Sequence, residues 1–423
     1  MGPHATPKIV VLGGGFGGLE AAFYLRMRLG DRTAITLVSD REKFLFKPNT
    51  IYIPFGLDPE RLKIGLTEPT RRTGITFVHD TARAIDPVEK TVTLDDARLP
   101  YDFLIVATGA GMRATEIPGL SEYALTIWTV EDMLRLRAAF KRLRDVAPPN
   151  GYGRKEVLFL VPRNNKCSGP LYEMVFMLDT WLRRHGARGG VDISWSTYET
   201  SYIQAFGPRL HEVVESEFER RDIAGFREYA VGRVEEDAVV YQNGQRLPYD
   251  LLISFPPYIA ASAFAGLPAD GRGFLTTNLQ SRQVIGYPEI YAVGDAGDFP
   301  VKQAFLAFLQ ADAAAEHLAA QILGTVPAFT FEPTSMCVME QFDKATFAQV
   351  PLRLTGRPEK PVEVRPDALD LYRVGSSQAW RLDKKLLGVY LPWRFGAGEP
   401  FHAGMPWKGM EAGMKVMSRL LAA

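Results

Sequence analysis

The chain has 423 residues, 46% hydrophobic and 23% charged, and its 49 Lys+Arg balance 49 Asp+Glu to a formal net charge of zero. That length supports two or three domains with large cores, and the charge balance gives no electrostatic reason to expect nucleic acid as a partner. Two cysteines, Cys167 and Cys337, are too few for a secreted disulfide scaffold, and no apolar run reaches the roughly 20 residues that span a bilayer.

The first predicted strand, Lys8–Leu12, begins almost at the first residue, so a secretory leader is expected to be absent or already removed. KIVVLGGGFGGLEAAFYLRMRLG reads as strand, tight glycine turn and amphipathic helix, followed by the strand AITLVSD at 34–40. Gly13, Gly15 and Gly18 hold the G-x-G-x-x-G positions of a dinucleotide turn. The first permits the turn, the second admits a pyrophosphate, and the third packs helix on strand.

The segment LPYDFLIVATGA at 99–110 recurs as LPYDLLISFPPY at 247–258. Each copy closes a unit that opens with a strand, a turn and a helix, at 8–30 and 157–186. The expected fold is therefore α/β, with two Rossmann-like dinucleotide-binding domains and a smaller C-terminal domain. The expected boundaries are 1–150, 151–284, 285–326 (returning to the first domain) and 327–423. Only the first unit keeps its glycine-rich loop; the second carries Cys167-Ser168-Gly169-Pro170 there and Phe255-Pro256-Pro257 at its close.

Cys167 precedes a predicted helix with Pro170 near its first position, where orphan N–H groups and the helix dipole favour a thiolate. Leu171, Met174, Val175, Leu178 and Leu182 form that helix's inward stripe. Glu173 lies off the stripe, either as a proton acceptor near the thiol or as a surface glutamate. Composition alone reads both cysteines as buried and inert. No Cys-x-x-Cys, Gly-x-Ser-x-Gly or Walker loop is present. The six histidines, His211, His317 and His402 among them, show no metal-ligand spacing, so no metal site is expected.

A short strand at 290–293 runs into Gly294-Asp295 and another helix, and the character changes from Pro327 onward. At the C-terminus, Trp407, Met410, Met414, Met417 and Leu421 form one helical stripe, with Lys408, Lys415 and Arg419 off it. The stripe reads as a helix lying in a membrane surface, or as one docked on the protein's own body or a second subunit.

Taken together, GGGFGG, IVATGA at 105–110 and YAVGDA at 291–296 resemble the FAD marks of the two-dinucleotide-binding-domain flavoproteins. KCSGPLYE, SFPPY and SMCVMEQF narrow the resemblance to sulfide:quinone oxidoreductases and the flavin subunits of flavocytochrome c sulfide dehydrogenases. The resemblance runs from Lys8 to about Met417. It implies an FAD whose pyrophosphate lies on Gly13, Gly15 and Gly18, its ribose on Ser39 or Asp40 and its adenine at Ala82. It implies the flavin end at Thr108, Gly109, Gly294 and Asp295, with Pro48 beside the ring. Lys302 then stands near the ring to stabilise reduced flavin, unless it is a solvated surface lysine. Cys167 and Cys337 are implied as a redox pair that oxidises sulfide to sulfane sulfur, with electrons passing to a quinone. The implied setting is peripheral on a membrane, at its cytoplasmic face, or periplasmic if a leader was removed; oligomeric state is left open.

Three departures stand out. Trp128 takes the place of a third cysteine, Ala205 that of a histidine, and the early loop FLFKPNTIYIPFG has no cysteine for a covalent flavin link, so FAD is expected to be non-covalent. Phe342, Phe347, Trp393 and Phe395 read as quinone-pocket walls or as ordinary packing. Rival readings are a cytochrome-linked sulfide dehydrogenase subunit, a type II NADH dehydrogenase (whose glycine loop Cys167 displaces) and a flavoprotein scaffold without catalysis.

Overall fold

Strands such as KIVVL, AITLVS and FLIV have no polar face to offer water, so they call for a parallel sheet covered on both sides. The computed structural model, which describes residues 6–147 and 153–422, contains that sheet. Its strand order is Gln283–Val284, Tyr287–Ala292, Phe103–Val106, Lys8–Leu12, Ala34–Ser39 and Thr76–His79, all parallel except the first pairing. Ile9 and Val11 face one apolar core, and Val10 and Leu12 the other. A second parallel sheet follows the order Ala124–Thr126, Leu251–Ser254, Lys155–Val161, Val191–Thr197 and Ile223–Phe226. The expected boundary at 150–151 lies outside the described residues.

The sequence echo has a physical counterpart. Each Leu-Pro-Tyr-Asp segment ends a three-stranded antiparallel excursion and feeds a central strand. In the first copy the Asp102 carboxylate accepts the Lys8 N–H at 2.7 Å. In the second, Asp250 accepts the Glu156 N–H at 2.8 Å. The aspartate thus fixes the register of Ile9 against Phe103 and of Val157 against Leu251.

The helices that frame the site are α1 (Phe16–Leu29), α2 (Gly169–Arg184), α3 (Ala304–Leu323), α4 (Gln378–Ala397) and α5 (Gly404–Leu421). Alanine-rich α3 packs closely on α1. Beyond it, Thr334–Glu340 pairs antiparallel with Ala345–Leu354, which also pairs with Val362–Val364 and Arg373–Ser377. The strand Thr334–Glu340 packs on α2 and α3 and so carries Cys337 to the junction of all three layers. A buried ion network locks this junction. The Arg221 guanidinium reaches Glu217 at 3.0 Å, Asp179 at 2.9 Å and Asp343 at 2.8 Å, while Asp179 also takes Arg188 at 2.7 Å.

The C-terminal stripe points inward, against the membrane reading of those residues. Trp407 and Met410 pack on the first core, Met417 packs beside Phe347 and Trp380, and Met414 is buried. Only Leu421 of the five is exposed. The apolar face left to solvent lies elsewhere: Leu382, Leu386, Val389 and Trp393 along α4, with Met405, Val416 and Leu420 on α5. Among the described residues no helix is long and apolar enough to cross a membrane.

Candidate active site

The strand-to-α1 turn shows why glycine is needed. Gly13 has φ +115°, and a Cβ there would lie 2.3 Å from the Ala107 carbonyl oxygen. A Cβ on Gly18 would lie 1.8 Å from the Gly13 oxygen, so this residue closes the helix onto the turn. Gly15 is different: a side chain there would meet nothing within 4 Å, because the residue faces open space. It also caps α1, with no side chain bonded to the cap and no acid in the first turn. Open space before uncapped N–H groups at a helix N-terminus suits a pyrophosphate.

That space belongs to a cavity of about 510 Å³. Gly13, Gly15, Ser39, Asp40, Pro48, Thr108, Gly109, Gly294 and Asp295 line it, together with Cys167, Glu173, Lys302 and Cys337. Gly18 does not reach the wall, and neither does Ala82, which is half-buried against another part of the core.

The two thiols come from distant elements. The Cys167 N–H donates to Asn165 Oδ1 at 3.0 Å, and Asn165 Nδ2 donates to the Phe255 carbonyl at 2.7 Å. Cys337 sits mid-strand opposite Ala348. Both are free, half-buried thiols on the same cavity. The expected Cys167 thiolate is not what this site favours. Burial pushes that thiol above its ordinary range, Cys337 and Asp295 push the same way, and the Gly169 N–H opposes only weakly. Burial, then the Glu173 charge, pushes Cys337 up to about 12. The helix N-terminus is outweighed because desolvation acts on the whole charge, whereas the turn supplies one N–H.

Glu173 is not a surface residue. It is buried, accepts the Glu340 N–H at 2.7 Å and is ion-paired with Lys384, which also donates to the Val338 carbonyl at 2.8 Å. Burial raises its pKa, and Lys384 opposes that rise. Next to it Glu340 accepts from Tyr52 Oη at 2.7 Å and Arg381 Nε at 2.8 Å.

Lys302 is likewise no surface lysine. It is 3% exposed, donates to the Gly297 carbonyl and stands 3.9 Å over the Phe274 ring. Burial pushes it down to about 7, with Asp295 opposing. Lys47, which the sequence reading passed over, lies 3.2 Å over the Trp128 ring, and burial pushes it down to about 8. Its position just before Pro48 was the available signal; nothing local marked Lys384.

Trp128 packs with Phe255 and Tyr258 on the cavity wall, in the position where the resemblance expects a cysteine. Ala205 lines a second cavity of about 210 Å³ on another side of Cys167. There half-buried Glu199 is pushed up to about 7 by desolvation. The aromatics Phe342, Phe347, Trp393 and Phe395 do not line the main cavity. Phe395 and Phe347 are core, Trp393 is solvent-facing and Phe342 packs on Phe55. Leu387, Leu391, Phe401, Trp407 and Met414 line the main cavity instead.

Residues 7–149 match the family model "Pyridine nucleotide-disulphide oxidoreductase". The chain is 31% identical over 269 residues to a sulfide-quinone reductase of Aquifex aeolicus, covering 60% of each protein. It is 25% identical over 309 residues to a mitochondrial sulfide:quinone oxidoreductase of Dictyostelium discoideum, covering 70% of this chain and 66% of that one. These alignments thus span just under two thirds of either relative's length. The crystal structure of the Aquifex aeolicus sulfide:quinone oxidoreductase superposes with a TM-score of 0.84 at 23% identity, over 97% of this chain and 96% of that one. With the duplicated sheets and the glycine turn in place, the chain shares the fold of the Aquifex aeolicus sulfide:quinone oxidoreductase and is similar in sequence to sulfide-quinone reductases over more than half of its length.

Proposed function

We propose that the protein oxidises sulfide to sulfane sulfur at Cys167 and Cys337 and passes the electrons to a quinone, using non-covalent FAD. The observation that carries this reading is that two cysteines from separate layers line one cavity with the glycine turn. The turn before α1 suits the pyrophosphate; in this reading Ser39 and Asp40, which line the same cavity, would take the ribose, and Thr108, Gly109, Gly294 and Asp295 the flavin end. Bound there, FAD supplies the two-electron carrier between sulfide oxidation and quinone reduction.

The chain's own residues do the sulfur chemistry. With the cysteines joined, hydrosulfide attacks the disulfide, one S–S bond breaking as another forms, to leave a persulfide on one cysteine and a thiolate on the other. Burial makes a bare thiolate costly here, so a proton must move with the sulfur. Glu173, beside Cys337 and ion-paired with Lys384, is the group that can take the persulfide proton and hand it on to that sulfur. Buried Lys302 and half-buried Lys47 stand around Asp295 and can bring positive charge to the cavity. The apolar wall of Leu387, Leu391, Phe401 and Trp407 suits a quinone ring. The exposed ridge on α4 beside it suits a lipid surface from which a quinone is drawn.

The test is an anaerobic sulfide titration of the purified flavoprotein, watched in its visible spectrum, followed by quinone, cytochrome c or NAD. Bleaching by sulfide and recovery on quinone support the proposal. Recovery only on cytochrome c, or bleaching by NADH and not by sulfide, would sink it.

A further inference from the structure

Three side chains that the sulfur chemistry does not use meet in the core, each from a different element. Glu20 on α1, Asp312 on α3 and His402, between α4 and α5, each offer an oxygen or nitrogen within 4.8 Å of the other two. Glu20 is fully buried and Asp312 is 4% exposed. Glu20 Oε2 accepts the Phe401 N–H at 2.7 Å, and Oε1 accepts the His402 N–H at 3.3 Å. Asp312 points into the cluster: its Oδ2 stands 2.5 Å from His402 Nδ1, while its Oδ1 is buried without a hydrogen-bond partner.

Two buried carboxyls cannot both stay charged without a compensating cation. The neighbouring cations are committed elsewhere: Arg28 to Glu316, and Arg394 to Glu399 and the carbonyls of Pro400 and Ala403. Tyr24, bonded to Glu316, faces Asp312; Tyr390 faces Glu20, and Glu411 faces His402. None of these brings a positive charge. Burial outweighs every neighbour, pushing both carboxyls above their ordinary range and His402 below its own. A proton shared between Glu20 and Asp312 cancels one of the two charges, whereas a divalent ion cancels both.

We propose that Glu20, Asp312 and His402 bind one divalent transition-metal ion of the zinc or manganese class, a clip that ties the segment between α4 and α5 to α1 and α3. Two carboxylates and an imidazole, with no thiolate, are donors that such ions take. Ligand atoms held at about 2.0–2.2 Å around a tetrahedral ion lie roughly 3.3–3.6 Å apart, inside the spread of these three groups. Asp312 Oδ1 is free to ligate, and each Glu20 oxygen keeps a second lone pair beyond its N–H bond. Those N–H bonds orient the carboxylate as outer partners do around a metal. The proton between His402 and Asp312 leaves for solvent as the ion arrives. The His402 side chain is 13% exposed and gives the ion its way in. The clip bears on the main cavity, because the His402 ring lies 4.6 Å from the rings of Phe401 and Trp407, which line it.

The experiment measures metal by elemental mass spectrometry on the FAD-loaded protein carrying Cys167→Ser and Cys337→Ser, so that the cavity thiols hold no ion. It is assayed as purified, after chelation, and after titration with Zn²⁺ or Mn²⁺. One ion per chain is expected, with a melting temperature that falls on chelation and returns with the ion. Adding Asp312→Asn or Glu20→Gln should bring the stoichiometry to near zero and remove the effect of metal on melting, while flavin content stays. X-ray absorption at the zinc edge should show only oxygen and nitrogen neighbours at about 2.0–2.2 Å, one of them an imidazole. Protein that binds neither ion stoichiometrically, or that binds it as well in either variant, overturns the inference; the cluster then holds a shared proton alone. Where a variant does not fold, the absorption spectrum decides, and a zinc shell without imidazole overturns the inference.

Discussion

Glu173 on α2 and Lys384 on α4, 211 residues apart in sequence, are ion-paired in the core beside the strand that carries Cys337. Their hydrogen bonds to the Glu340 N–H and the Val338 carbonyl pin that strand just past the thiol. Burial raises the Glu173 pKa, and Lys384 is the main group that opposes the rise. In Lys384→Met the carboxyl should ionise only at higher pH, so the acid limb of sulfide-dependent flavin reduction moves up. Lys384→Arg should keep most of the wild-type profile. An acid limb that does not move in the Met variant removes Glu173 as the proton acceptor.

Cys167→Ser and Cys337→Ser should each lose flavin bleaching by sulfide down to background while retaining bound flavin, because serine keeps the volume and lacks the sulfur exchange. Measuring flavin content alongside anaerobic bleaching separates a chemical loss from a folding one. Retained bleaching in either variant would remove that cysteine from the chemistry.

Lys302 gives the flavin-free protein a pH signature. Burial lowers it from its ordinary 10.5 to about 7. Between those values the unfolded chain holds a proton that the folded state does not, so stability rises with pH across that window. Urea denaturation of flavin-free protein at several pH values should show the rise, and Lys302→Met should flatten it. Lys47, lowered to about 8, contributes over the upper part of the same window.

The ridge of Leu382, Leu386, Val389 and Trp393 should govern lipid binding. Fully burying four such side chains contributes on the order of 6–12 kcal/mol, an upper bound for a half-wet interface. Leu386→Glu with Val389→Glu should release the protein from quinone-free vesicles in co-sedimentation. Sulfide-dependent bleaching should remain. Unchanged sedimentation would show that the ridge does not contact lipid.

Arg221→Met breaks the network of Glu217, Asp179 and Asp343 from its centre. Leaving those carboxylates without their buried cation should cost about 3–5 kcal/mol of stability. Equilibrium unfolding checks this, with surface Arg135→Met as a control near zero.

Much of the fold was legible because it is written locally. The glycine turn, the alternation of apolar strand and helix, and the repeated Leu-Pro-Tyr-Asp segment each span a few residues, and each acts within its own neighbourhood. Asp102 and Asp250 do the same job because the same local chain precedes the same kind of strand. The site was less legible. Glu173 read equally well as a surface residue, since helical spacing fixes direction around an axis but not what packs against it. The C-terminal stripe was correctly read as one helical face, yet its direction was left to whatever covered it.

The sequence by itself determined a dinucleotide turn at Gly13–Gly18, a duplicated α/β frame and a thiol where a second glycine loop would stand. Only the tertiary structure decided that Cys337 shares a cavity with Cys167 and that burial pushes both thiols toward the protonated form. It also decided that Glu20, Asp312 and His402 meet although no spacing announces them. Short-range patterns are enforced by bond geometry and periodic burial, whereas desolvation and charge pairing depend on which distant segments exclude water together.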